Sequence, residues 1–171
     1  MLKLTLHHDI HCSADRFWEL FFDPAFVREM IVGGLGFASC DVGPIVDEGA
    51  LRKRETRVIP KIDVPAAVAK LLGPKLGYVE KGQLDTRTQA WTYEIVLSVL
   101  SDRIKMGGTM TVEPAGDSLC KRHSDLWVDV RIFGIGGLVE RAAESNMRSG
   151  WNRSAAWMNE WLPTRAGAKT P

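Results

Sequence analysis

The sequence carries almost no net charge. Its 171 residues hold 22 basic and 21 acidic side chains, a balance of +1. That speaks against a nucleic-acid binder, which shows a basic excess or patch. A membrane-length apolar run is also missing. The longest uncharged stretch, 30–40, falls far short of the roughly 20 residues a spanning helix needs. Nothing at the N-terminus resembles a signal peptide, so a cytoplasmic protein is the simplest expectation. Cysteine is scarce: Cys12, Cys40 and Cys120 form no zinc or redox pattern and predict buried, reduced thiols. Internal repeats and low-complexity linkers are absent.

What is present is a 45% hydrophobic chain with six Trp, enough for one domain with deep apolar contacts. The clearest pattern lies near the end. Over 135–162 the apolar residues step by threes and fours, the period of one helix face. That predicts a helix of roughly 25 residues and about 40 Å. The chain before it reads mostly as strands. Leu2, Leu4 and Leu6 alternate with polar residues. Ser13 is a candidate N-cap for a short helix, and Asp23-Pro24 ends that helix and starts a second. Strands are predicted over 37–46 and 50–59, with a turn at 47–49. A helical insert over 63–72, capped by Asp63, comes next, followed by strands over 76–84, 89–100, 103–112 and 118–132. A domain over 1–162 and a frayed tail over 163–171 are expected.

Sequential strands with tight turns give an antiparallel meander. The order predicts an α+β fold: a bent antiparallel sheet of about six to seven strands around a long C-terminal helix, with two short helices after the first strand. This order resembles the helix-grip fold of the START-like, or SRPBCC, superfamily. The segment Val128-Asp-Val-Arg-Ile-Phe-Gly-Ile-Gly-Gly-Leu-Val-Glu140 is similar to the strand-to-helix junction of an uncharacterised bacterial START-like family. It also resembles that of the sterol-binding VASt domains. Trp91-Thr-Tyr-Glu-Ile95 fits the same bacterial family. The superfamily includes ligand binders, lipid-transfer domains, polyketide cyclases and Hsp90 co-chaperone domains. The resemblance implies an internal hollow between sheet and helix.

The residues place walls around such a hollow. Trp91, Tyr93, Ile95 and Leu97 share one strand face, as do Met106 and Met110, and Leu126 and Val128. These faces look toward Met147, Trp151 and Ser154 of the long helix. Gly107-Gly108 marks a bend or bulge. In the strand 51–57, either face carries a charge inward. It is therefore an edge strand, or an Arg pairs with an acid; Arg54 is the candidate for holding a ligand headgroup. The insert, flanked by Lys61, Lys70 and Lys75, suits a lid or transient contact with an anionic membrane surface.

His7, His8 and His11 with Asp9 look like metal ligands, but a zinc set usually draws on several elements, so no metal is assigned. Gly134-Ile-Gly136-Gly137 lacks the βαβ context of a phosphate site and reads as a sharp turn. His123 near Asp125 has no nucleophile beside it. No cofactor and no catalytic residue is assigned. The leading expectation is binding of a small apolar or amphipathic ligand (lipid, sterol or polyketide-like), for carriage or sensing. A cyclase using Tyr93, His123 or Asn146 is one alternative, and a protein-interaction module with a filled core is another. A void above about 300 Å³ favours the first two.

Overall fold

The computed structural model describes residues 1–165; the part of the expected tail over 166–171 lies outside them. The first strand, β1 (Leu2–Ile10), buries Leu4, Leu6 and Ile10 and turns Lys3, Thr5 and His7 outward. Ser13 caps α1 (Ala14–Phe22), its hydroxyl accepting from the Arg16 N–H at 3.2 Å. The Asp23 carboxylate accepts from the N–H groups of Ala25 and Phe26, and Pro24 opens α2 (Pro24–Arg28). A π-helical turn, Glu29–Gly34, follows. At Gly34 a Cβ would stand 2.7 Å from the Trp157 ring, so only glycine fits this approach to the C-terminal helix.

The strand expected over 37–46 is two: β2 (Ser39–Val42) and β3 (Val46–Glu48). Pro44 lies between them and has no N–H to give a ladder. Asp47 and Glu48 therefore belong to β3, and the turn to β4 (Leu51–Ile59) is Gly49-Ala50. The insert helix α3 (Ala66–Leu72) starts later than expected. Pro65 holds its cap position, and no side chain caps it. Asp63 instead binds the last helix through its backbone: its N–H donates to Asn146 Oδ1 at 3.2 Å, and its carbonyl accepts from Nδ2 at 2.8 Å. Gly73, at φ +74°, ends α3.

The meander continues through β5 (Tyr78–Asp85), β6 (Ala90–Leu97), β7 (Ile104–Pro114) and β8 (Cys120–Val130). The long helix, α4 (Gly136–Arg165), has 30 residues and so runs about 45 Å. It includes Pro163, Thr164 and Arg165.

Together the strands form one eight-stranded antiparallel sheet in the order β1-β8-β7-β6-β5-β4-β2, with β3 also on β4. Splitting at Pro44 takes the count past the expected six to seven. No bulge interrupts β7, where Gly107 pairs with Trp127 and Gly108 with Leu126. A Cβ there would meet the carbonyl oxygens of Tyr93 and Asp125 at 2.4 and 2.6 Å, so the glycines serve close approach. The main core packs α1 and α2 aromatics and α4 against the concave sheet face. A second cluster sets α3 against the first turns of α4. Cys12, Cys40 and Cys120 are buried and free. Among the described residues, no helix is long and apolar enough to cross a membrane.

Candidate functional site

Between the concave sheet face and α4 lies a void of about 290 Å³, just under the ~300 Å³ lower end of typical ligand sites. Its walls are mostly apolar. Phe17, Phe21 and Phe26 close one side, Val68 and Leu72 of α3 another, and Met147, Trp151 and Met158 of α4 the roof. Of the twelve residues expected around a ligand, nine line this void: Arg54, Tyr93, Ile95, Leu97, Met106, Met110, Met147, Trp151 and Ser154. Trp91, Leu126 and Val128 do not. They share the inward face but are sealed in the core, at 1%, 2% and 0% exposure. The Trp91 indole fills the space over Gly82, where a Cβ would stand 1.9 Å from the ring. Leu126 fills the corresponding space at Gly108, 2.9 Å from where a Cβ would stand.

The strand with charges on both faces is not an edge. β4 lies between β5 and β2, and its even positions point inward. Arg54 is 4% exposed. Its Nη1 donates to the Phe21 carbonyl, and Nη2 reaches Glu80 Oε1 at 3.4 Å. The guanidinium stands 4.3 Å from the Phe21 ring centroid and 5.2 Å from that of Trp91. Burial lowers its pKa, and Glu80 opposes that.

Four polar wall residues were not singled out from sequence: Thr56, Tyr78, Glu80 and Arg122. Arg122, on β8, is 5% exposed. Its Nη1 donates to Ser154 Oγ at 3.2 Å and its Nη2 to the Trp151 carbonyl at 2.9 Å. The Trp151 ring centroid lies 4.6 Å from the guanidinium. Nη2 also faces His8 Nδ1 at 3.2 Å, and His8 Nε2 faces Asn152 Oδ1 at 2.8 Å. This network fits a neutral His8 with its proton on Nε2, and burial lowers the His8 pKa. Burial takes Arg122 down to about 10. Tyr93, between the two arginines in strand order, is 4% exposed, and burial raises its phenol, keeping it protonated.

The alternative catalytic trio is not brought together. Tyr93 and Asn146 line the void, but Asn146 is engaged with Asp63 and the Ala142 carbonyl. His123 lies on the convex face, its Nδ1 2.6 Å from His7 Nδ1, while Asp125 accepts from the Thr5 hydroxyl.

A long α-helix gripped by an antiparallel sheet defines a helix-grip fold. Within that class, residues 5–162 match the family described as a protein of unknown function (DUF2505), and the chain belongs to it. No curated protein matches the sequence. Among solved structures, the chain is similar to the Zhui aromatase/cyclase from Streptomyces sp. R1128. The TM-score is 0.65 at 13% identity, covering 98% of this chain and 99% of that one. A START superfamily protein from Mycobacterium smegmatis gives 0.64 at 14% identity, covering 94% and 98%. Norcoclaurine synthase from Thalictrum flavum, in complex with dopamine and hydroxybenzaldehyde, gives 0.57 at 18%, covering 98% and 90%. At these identities the likeness concerns the fold.

Proposed function

We propose that this protein binds a small, mainly apolar ligand between the sheet and α4, for carriage or sensing. The observation that carries the reading is the void of about 290 Å³ left where a packed core would have none. It has about twice the volume of an engineered ~150 Å³ apolar cavity that takes benzene. A compact ring system or a short acyl chain suits it better than a long lipid. Burying about 250 Å² of apolar ligand surface contributes roughly 6 kcal/mol before ordering costs. The insert helix, tied to α4 through Asn146, is the natural gate. Lys61, Lys70 and Lys75 are exposed around it and favour transient contact with an anionic membrane surface.

Native mass spectrometry of freshly purified protein, followed by solvent extraction, tests the reading. A bound small molecule, or a thermal shift with short acyl or aromatic compounds, is the expected result. Empty protein with no shift from any class would defeat it.

Cyclase-type chemistry in the same hollow is the second reading, favoured by one observation: a buried, protonated Tyr93 on the wall, in the field of Glu80 and Arg122. Turnover of a polyketide substrate that survives Tyr93→Phe would remove that residue from consideration.

A further inference from the structure

The charged residues on the wall of the void are Arg54, Glu80 and Arg122. Two guanidinium groups face one carboxylate, which leaves the wall one positive charge in excess. The excess has an address. Arg54 is met by Glu80 and by the Phe21 carbonyl. Among the described residues Arg122 makes no salt bridge; its partners, Ser154, the Trp151 carbonyl and His8, are all uncharged. Its Nε–H is buried without any partner, as are the Arg54 Nε–H and the Thr56 hydroxyl on the same wall, so what sets Arg122 apart is the missing counter-charge. A buried charge without a counter-charge is costly, and chains rarely keep one without use. The Trp151 ring and the Trp151 carbonyl hold this guanidinium in place without neutralising it.

We infer that the ligand carries a single negative charge, a carboxylate, which seats against the Arg122 guanidinium while its apolar body lies under Met147 and Met158. The inference rests on the ligand-binding reading above and names the chemical class of the ligand. A monoanion brings the wall to neutrality; a dianion such as a phosphate monoester overshoots. Guanidinium and carboxylate match in shape and form charge-assisted bonds. Tyr93 lines the same wall, its ring centroid 6.4 Å from that of Trp151, and offers a second hydroxyl donor for the same group.

The test is calorimetric titration of the delipidated full chain with octanoate, 1-octanol, octylamine and octyl phosphate at pH 7.5. Octanoate should bind about tenfold tighter than octanol, one charge-assisted hydrogen bond's worth. Octylamine should bind no better than octanol, and octyl phosphate no better than octanoate. Arg122→Gln should bring octanoate down to the octanol level and leave octanol unchanged. If that variant does not fold, the wild-type series decides alone. Octanol equal to octanoate overturns the carboxylate and leaves the apolar cavity standing. Octyl phosphate clearly tighter than octanoate overturns it in favour of a dianion. Binding of none of the four overturns the cavity reading and this inference with it.

Discussion

Two arginines face the same hollow from opposite parts of the sheet, and their surroundings differ in kind. Arg54 on β4 sits in a cage of Phe21, Phe22 and Trp91 rings and has an acidic neighbour in Glu80. Arg122 on β8 has one ring beneath it and, among the described residues, no acid paired with it. The first is electrically closed and ties α1 to the sheet through the Phe21 carbonyl. The second is open. The same residue type, equally buried, is structural where its charge is answered from within the chain. Where it is not answered, it is available to a partner from outside.

Substitutions can break this contrast. Arg54→Ala should cost the most. It removes one member of a buried pair and empties the aromatic cage, for about 3 kcal/mol or more of stability in chemical denaturation. A cost below about 1 kcal/mol would erase the distinction. Gly82→Ala attacks the cage indirectly. Its Cβ would stand 1.9 Å from the Trp91 ring, so overpacking should cost about 1–3 kcal/mol. The apparent Arg54 contribution should shrink in the double variant, because the two sites share Trp91.

The open site carries a pH signature. His8 is held below its ordinary 6.5 by burial, with Arg122 on β8 and His7 beside it adding repulsion and Asn152 on α4 opposing. The unfolded chain therefore binds the proton more readily. The His8 contribution is complete above about pH 6.5 and is lost as pH falls through the lower folded value. A His8→Gln variant should flatten the stability profile below pH 6.5; an unchanged slope would assign that acid sensitivity elsewhere. The smallest effect belongs to Arg122→Met. Without ligand it should change stability by no more than about 1 kcal/mol, and toward greater stability, because an unanswered buried charge is removed. A loss of several kcal/mol would make Arg122 as structural as Arg54.

Much of the architecture was legible in the residues because it rests on local chemistry. Ser13 and Asp23-Pro24 cap helices by bonds that span only a few residues, and the stripe over 135–162 reports a helix by its period alone. Asp63 misled because its backbone finds Asn146 far along the chain. The site was legible by face but not by depth. Alternation correctly turned Trp91, Leu126 and Val128 inward, yet which inward residues meet the void depends on where the rings end. Arg122 was within reach of the same rule. It shares the parity of Ser124, Leu126 and Val128, but the apolar run that signals an inward face begins only after it.

The pairing of β1 with β8, from Leu2 against Val128 to Ile10 against Cys120, also governs how the molecule must assemble. The earliest strand of the fold, β1, waits for the latest, β8, before it has a ladder to join. Non-local closure of this kind slows folding and leaves an apolar edge uncovered in the interval. In nascent chains halted before residue 120, proteolysis should cut freely within 2–10; protection there would mean that the amino-terminal strand finds a temporary neighbour.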